Sequence, residues 1–174
     1  MKTILWATLT ANGNYAQSSA EHPPRPQTLA DFAAQATAAG NFIVGRRTFE
    51  AFQANNNGGG GPAASLASLD LVVVSTRLEG LPVRVVRSPA EALAYLAGRG
   101  HATALLAGGA ALHNAFLGAG LVDEVVFNVA PVMEGKGLNL VLDTERYRYQ
   151  DVQLIDSRAL GGGVQQSRFV LGRV

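Results

Sequence analysis

The stretch LVVVSTR, residues 71–77, shows most directly what kind of sheet this chain builds. Its first part is apolar at every position and rich in valine, which is typical of a β-strand buried on both faces. Strands of that kind lie in mainly parallel sheets that helices cover on both sides. Its last part, Ser75-Thr76-Arg77, is polar and predicts a loop directly after the strand.

The rest of the sequence alternates predicted strands with predicted helices. Further strands are expected at residues 4–9, 42–44, 83–86, 104–106 and 122–129, followed by a hairpin of strands 152–157 and 164–171. Helices are expected at 29–39 (Thr28 as N-cap, Asp31 in the first turn, Gly40 at the end), at 46–52, at 89–97 with Ser88 as N-cap, and from Gly108-Gly109 to about residue 116. The Asn- and Gly-rich residues 55–62 and the Pro-rich residues 17–27 are expected to be loops.

This alternation predicts βαβ units and therefore an α/β fold. We expect a three-layer α-β-α architecture with a mainly parallel central sheet and a C-terminal antiparallel hairpin. The length of 174 residues predicts a single domain spanning residues 1–174.

Composition excludes several functional classes. Apolar residues make up 48% and charged residues 16%, which is too apolar for a disordered chain. A net charge of +1 gives no strong basic field, so neither nucleic acid nor an anionic membrane surface is an expected partner. No apolar run reaches the length of a membrane span and no secretion signal is recognisable, so we expect a cytoplasmic location.

Metal and thiol chemistry are not expected either. The chain has no cysteine, which excludes disulfides, thiolate metal sites and cysteine nucleophiles. Its histidines, His22, His101 and His113, do not show the spacing of a metal site.

Three predicted strand-to-helix junctions carry residues suited to binding phosphate. They are Gly45-Arg46-Arg47-Thr48, Ser75-Thr76-Arg77 and Gly108-Gly109-Ala110-Ala111. Glycine allows close approach of the backbone, helix starts offer free N–H groups, and arginine adds charge. Each junction also has a plainer interpretation: a solvated basic helix start, a capped loop with a surface arginine, and a glycine pair used for tight packing. They reinforce one another because all lie at the carboxyl edge of the predicted sheet.

A series of motifs in this order resembles a known family. The motifs are Asn12-Gly13, residues 42–49 (FIVGRRTF), 73–75 (VVS), 105–112 (LLAGGAAL) and 121–137 (LVDEVVFNVAPVMEGKG). Together they resemble the dihydrofolate reductase-like superfamily, and within it the branch of the C-terminal reductase domain of the bifunctional riboflavin-pathway enzyme. The resemblance covers nearly the whole chain. It implies NADPH-dependent hydride transfer to a pyrimidine- or pterin-like heterocycle, and a homodimer formed through sheet edges, with strand 125–127 and the terminal hairpin as candidates.

The resemblance also implies positions for the ligands. The cofactor-binding residues it implies are Ala7, Gly13, Gly45, Arg46, Arg47, Thr48, Ser75, Thr76, Arg77, Ala107, Gly108, Gly109, Ala110, Ala111 and Leu112. The implied substrate-binding residues are Asn12, Tyr15, Asp31 and Pro131, with a cis peptide expected at Gly108-Gly109.

The residues themselves favour NADPH over NADH. Arg46, Arg47 and Arg77 place cations along the expected cofactor track, and no acidic residue follows the glycine pair at the spacing that would bind a free ribose.

Individual polar and aromatic residues have two interpretations each. Asp31 is the candidate proton donor, or an ordinary acid near a helix start. Tyr15 either stacks on a ligand or seats its loop. We expect His113 on a helix surface or at an interface, Trp6 in the core, and Asp123 and Glu124 in structural roles.

The sequence departs from the riboflavin-pathway reductases at several positions. Ala107 stands where they usually carry Glu, Asn14 where they usually carry Lys, Arg or Tyr, and residues 55–61 replace an Asp-Pro-x-Leu-Thr segment. An NADPH-binding protein of the same fold without that activity, or a dihydrofolate reductase, therefore stays open as an alternative.

Overall fold

The computed structural model describes residues 1–16, 22–56, 66, 68–78, 80, 82–135 and 151–172, with the backbone alone at 55 and 56. The strands are β1 (Lys2–Thr10), β2 (Asn41–Gly45), β3 (Asp70–Val74), β4 (Arg84–Val86), β5 (Thr103–Leu106), β6 (Glu124–Ala130), β7 (Val152–Gly161) and β8 (Val164–Leu171). The helices within the described residues are α1 (Pro26–Ala39), α2 (Arg46–Asn56), α3 (Pro89–Gly98) and α4 (Ala110–Gly118).

All eight strands form one sheet in the order β4-β3-β2-β5-β1-β6-β8-β7. The strands from β4 to β6 in this order are parallel, whereas β8 and β7 run antiparallel at the far side. The mainly parallel sheet with a C-terminal antiparallel hairpin is thus confirmed.

The core consists of two apolar clusters, one on each face of the sheet. Consecutive strand residues alternate between them, so that Leu5 and Leu106 face one side while Ile4 and Leu105 face the other. Side chains from α3 and α4 complete the first cluster, namely Ala92, Leu96, Leu112, Phe116 and Leu117. Side chains from α1 and α2 complete the second, namely Phe32, Ala36 and Phe49. Helices therefore cover both faces, as the non-alternating valine run of β3 predicts.

The start of α1 differs from the prediction. The helix begins at Pro26 after Arg25, so Thr28 is not its N-cap but lies inside it, where the Thr28 hydroxyl donates to the Arg25 carbonyl at 2.8 Å. Asp31 consequently lies beyond the first turn. Proline explains the shift, because its fixed φ suits the first helical position and its missing N–H costs nothing there. The predicted end at Gly40 is confirmed, with the left-handed φ of +71° that favours glycine.

Helix α2 also extends further than predicted. It runs to Asn56, through Asn55 and Asn56 that the sequence assigned to the loop. A helix that is already formed adds residues easily, because each one gains a hydrogen bond for little further entropy. Residues 57–62 and 17–21 of the predicted loops lie outside the described residues. Residues 22–25 are outside helices and strands, as predicted, whereas Pro26 and Gln27 begin α1.

One of the two strands proposed for dimer formation is not at an edge. Residues 125–127 belong to β6, which pairs with β1 on one side and β8 on the other, so this part of the prediction is wrong. Strand β7 is an edge, and its Val152, Leu154 and Ile155 are exposed apolar residues. A homodimer through the hairpin stays a prediction.

Membrane spans and metal clusters are both missing from the part of the chain that the structure describes. No helix there combines the length and apolar character needed to cross a bilayer. Across the same residues, no three His, Asp or Glu side chains come together as a metal site would need.

Glu124 joins the parallel and antiparallel parts of the sheet. Its carboxylate lies 2.6 Å from Lys2 Nζ on β1, and it accepts a hydrogen bond from Arg168 Nε on β8 at 2.6 Å. Burial alone would raise the pKa of Glu124, but the hydrogen bonds from Lys2 and Arg168 hold it below its usual range. The structural role expected for Glu124 is confirmed by these contacts.

We predict that Glu124→Gln lowers the free energy of unfolding at neutral pH by about 1–3 kcal/mol, because two cations lose their buried partner. The difference from the wild type should shrink on acidification, since a lowered folded-state pKa gives stability that is lost as the carboxylate is protonated. Urea unfolding at several pH values measures both effects. Glu50→Gln, which breaks the exposed pair with Arg46, is the control and should cost less than about 0.5 kcal/mol. Equal losses in the two variants would contradict the assignment.

Candidate functional site

A cavity of about 1550 Å³ lies at the carboxyl edge of the parallel strands. Segments that follow β1, β2, β3, β5 and β6 all contribute to its wall. The predicted site residues among its lining are Ala7, Tyr15, Gly45, Arg46, Arg47, Thr48, Ser75, Thr76, Arg77, Ala107, Gly108, Gly109, Ala110, Ala111 and Leu112. The three junctions singled out in the sequence therefore face one cavity.

Four predicted residues are not in the lining. Asn12 and Gly13 form the turn after β1, where the Asn12 side chain bonds the backbone of Glu134. Pro131 is exposed directly after β6, and Asp31 is buried beneath Trp6.

The centre of the cavity wall is bare backbone. The Gly45 N–H donates to the Gly108 carbonyl at 3.0 Å, and the Ala107 N–H donates to the Ile43 carbonyl at 2.9 Å, which joins the ends of β2 and β5. The peptide between Gly108 and Gly109 is cis, as the resemblance implied. A Cβ at Gly109 would lie 3.3 Å from Thr48 Oγ1, so a larger residue would crowd the contact between the two junctions. Helices α2 and α4 begin here, at Arg46 and Ala110.

Arginines cluster beyond this centre, and we call Arg46, Arg47, Arg77 and Arg87 the cationic wall. Arg46 pairs with Glu50 at 2.9 Å, and Arg87 donates to the Thr76 carbonyl at 2.6 Å. The Ser75 hydroxyl accepts from the N–H groups of Arg77 and Leu78, which fixes the loop after β3.

Arg87 is a lining residue that the sequence motifs did not indicate. The available signal was its place immediately after β4, which ends at the same edge of the sheet as β3. Arg25 and His22, ahead of α1, are further lining residues that the sequence did not single out.

A second part of the lining carries no charge, and we call Ala7, Tyr15 and His113 the neutral wall. The Tyr15 hydroxyl lies 2.5 Å from His113 Nδ1, within hydrogen-bond distance. Burial lowers the pKa of His113 to about 4 against an opposing effect of the Leu106 carbonyl, and burial raises the pKa of Tyr15. Both rings are therefore neutral at pH 7.

The expected surface or interface position of His113 is wrong, because its side chain is fully buried. His113, Phe116 and Leu117 share the i, i+3, i+4 spacing of one helix face, and that face packs on the sheet. Tyr15, from the turn after β1, supplies a partner for Nδ1 of this buried polar ring, whereas Nε2 is buried without a hydrogen-bond partner among the described residues.

Trp6 and Asp31 form a polar connection behind the cavity. Trp6 packs on the core, as predicted, but it also lines the cavity. Its Nε1–H donates to Asp31 Oδ2 at 2.7 Å, and this carboxylate also accepts from Asn128 at 3.3 Å and Arg158 at 3.4 Å. Asp31 is thus buried and already accepts three hydrogen bonds, and its role as a proton donor stays a prediction.

The fold defined by this sheet and cavity is that of the dihydrofolate reductase-like proteins. The chain resembles dihydrofolate reductase from Enterococcus faecalis complexed with NADP(H), with a TM-score of 0.69, 15% identity, and coverage of 98% of this chain and 96% of that one. It also resembles a pyrimidine reductase-like protein from Corynebacterium diphtheriae, with a TM-score of 0.74, 17% identity, and coverage of 99% and 92%.

Within this class the family can be stated. The chain belongs to the RibD C-terminal domain family, whose pattern matches residues 4–166. RibD of Acinetobacter baumannii is similar in structure, with a TM-score of 0.75 and 18% identity, and the match covers 98% of this chain but 58% of that protein. No curated protein sequence matches this chain.

Buried His113 should make the fold sensitive to acid. A histidine pKa of about 4 in the folded state, against an ordinary value of 6.5, means that the unfolded chain binds the proton more tightly. The contribution of neutral His113 to the free energy of unfolding is therefore fully present above pH 6.5, and about 3 kcal/mol of it is lost as the pH drops to about 4.

We predict that wild type loses about 3 kcal/mol more than His113→Gln between pH 7 and pH 4, measured by urea unfolding at each pH. The comparison uses the change in unfolding free energy with pH in each protein and not its absolute value. The cost of the lost Tyr15 contact in the variant therefore cancels. Parallel curves for the two proteins would show that His113 does not titrate as its burial implies.

Proposed function

We propose that this chain is an NADPH-dependent reductase that transfers hydride to a pyrimidine- or pterin-like heterocycle, similar to the riboflavin-pathway reductase acting on 5-amino-6-ribosylaminouracil phosphate. The observation that carries the proposal is the convergence of bare glycine backbone, two helix starts and the cationic wall on one cavity. Membership of the RibD C-terminal domain family supports it.

The chemistry of the lining fits a dinucleotide phosphate. Gly45, Gly108 and Gly109 line the cavity without side chains, so a diphosphate would lie against the backbone, and the starts of α2 and α4 add the positive ends of helix dipoles. Arg77 and Arg87, with Ser75 and Thr76, fit a 2′-phosphate. When bound, NADPH would supply a hydride from C4 of its nicotinamide.

The neutral wall fits the uncharged ring at the other end of such a ligand. Tyr15 is held by His113, so its hydroxyl keeps a fixed direction without adding charge. Ala7 leaves space next to it because its side chain is small. The contribution of these residues would be to position the reacting rings, which lowers the barrier by removing the entropy cost of alignment.

The proposed role of Arg77 gives a selective test of the cofactor. Arg77→Ala should weaken NADPH binding about 10- to 100-fold, since a charge-assisted hydrogen bond is worth about 1.5–3 kcal/mol. Binding of NADH, which has no 2′-phosphate, should not change. Fluorescence titration with both nucleotides measures this.

Arg84→Ala is the matched control for that measurement, because Arg84 stacks on the Tyr95 ring at 5.0 Å and does not line the cavity. An Arg77→Ala protein that discriminates NADPH from NADH as well as the control would remove Arg77 from the proposed site.

The reaction itself is tested by following NADPH absorbance with a panel of ribosylaminopyrimidines and pterins. We expect oxidation with at least one ribosylaminopyrimidine, because the family and the cavity both point to a ring substrate. NADPH binding without oxidation of any panel member would favour the alternative of a cofactor-binding protein that lacks this activity.

A further inference from the structure

The proposed function makes no use of Glu134, although this residue lines the cavity shortly after the end of β6. It is the one carboxylate among the described lining residues. Its Oε2 is buried and has no hydrogen-bond partner in the described part of the structure. A carboxylate oxygen in that position has lost water without a replacement, which costs free energy that a bound donor would restore.

The backbone of Glu134 is held in place by the turn after β1. The Asn12 side chain donates to the Glu134 carbonyl at 2.8 Å and accepts from the Glu134 N–H at 3.2 Å. The Asn14 side chain donates to the same carbonyl at 3.3 Å, and the Ala11 N–H donates to the Val132 carbonyl at 2.8 Å. These contacts give Asn12 a positioning role, and its direct contact with a substrate stays a prediction.

The surroundings limit what this carboxylate can bind. The turn that holds Glu134 leads directly into Tyr15 of the neutral wall. Phosphates are matched by the cationic wall, and a carboxylate repels them. Asp31, the other carboxylate near the cavity, already accepts three hydrogen bonds. A carboxylate accepts from O–H and N–H donors, and beside Tyr15 of the neutral wall the donor that we assign to Glu134 is an N–H on a planar ring, which forms a charge-assisted hydrogen bond.

We propose that the Glu134 carboxylate is a ligand-binding group that accepts a hydrogen bond from an N–H on a planar nitrogen-containing ring or on the amino or carboxamide substituent of that ring. The inference rests on the proposed function for its setting, and the ring is either the heterocyclic substrate or the carboxamide-bearing nicotinamide. The substitution Glu134→Gln keeps the shape of the side chain and removes its charge.

The experiment measures binding of three probes to wild type, Glu134→Gln and Asp151→Asn by titration calorimetry. The probes are 2,4-diaminopyrimidine, NADPH, and 2′-phosphoadenosine diphosphoribose, which lacks nicotinamide. Asp151→Asn, at an exposed carboxylate ahead of β7, is the control. Fluorescence of Trp6, the only tryptophan and a lining residue, gives a second readout, and thermal unfolding shows that each variant is folded.

We expect Glu134→Gln to weaken one of the two ring probes about 10- to 100-fold while the nicotinamide-free nucleotide binds unchanged. Loss confined to 2,4-diaminopyrimidine identifies the substrate ring as the partner, and loss confined to NADPH identifies nicotinamide. A further probe, 2,4-dimethoxypyrimidine, has no N–H and should bind wild type and variant equally.

Unchanged binding of both ring probes would overturn the inference, and so would an equal loss for all probes, which indicates a general structural effect. The inference also fails if wild type does not bind 2,4-diaminopyrimidine and Glu134→Gln binds NADPH with normal affinity. If wild type binds no NADPH, the proposed function fails, whereas the diaminopyrimidine measurement still decides the role of Glu134.

Discussion

The common direction of the strands from β4 to β6 is the constraint on which the rest of this structure depends. Parallel pairing along the ladder places all their carboxyl ends at one edge. Each connection to the next helix must then leave from that edge, and the side chains directly after each strand meet there. Backbone hydrogen bonding, rather than any side-chain contact, therefore creates the cavity.

Strand order also arranges the chemistry along the cavity. Strands β4 and β3 lie on one side and supply Arg87 and Arg77, whereas β2 and β5 lie next and supply the glycines at 45 and 108–109. Strands β1 and β6 follow, and the segments after them supply Tyr15 and Glu134. The cationic wall, on the segments after β4, β3 and β2, thus lies on one side of the cavity, and Tyr15 and Glu134 lie on the other. This order supports the proposed binding of a ligand with phosphates at one end and a ring at the other.

Two carboxylates near the cavity differ in their hydrogen-bond partners. Asp31 accepts hydrogen bonds from Trp6, Asn128 and Arg158, and Asn128 in turn accepts from Gln166 at 2.8 Å. This network links α1 to β1, β6, β7 and β8, and a saturated network of this kind fixes the relative positions of its elements. Glu134 Oε2 is buried without such a partner among the residues that the structure describes. The same functional group therefore stabilises the fold at one position and is open to a ligand at the other.

The sequence by itself determined the strands, most helix positions and the three junctions, because apolar periodicity, glycine and capping residues act over a few neighbouring residues. Ser88, for example, accepts from the Glu91 N–H as its N-cap position predicts. Tertiary structure alone decided that 125–127 is an interior strand, that His113 is buried against Tyr15, and that Arg87 and Glu134 reach the cavity. Those outcomes depend on which distant strands pair and which helix face packs on the sheet. Such long-range contacts leave little trace in the residues immediately around each position, and so they could not be read from the sequence.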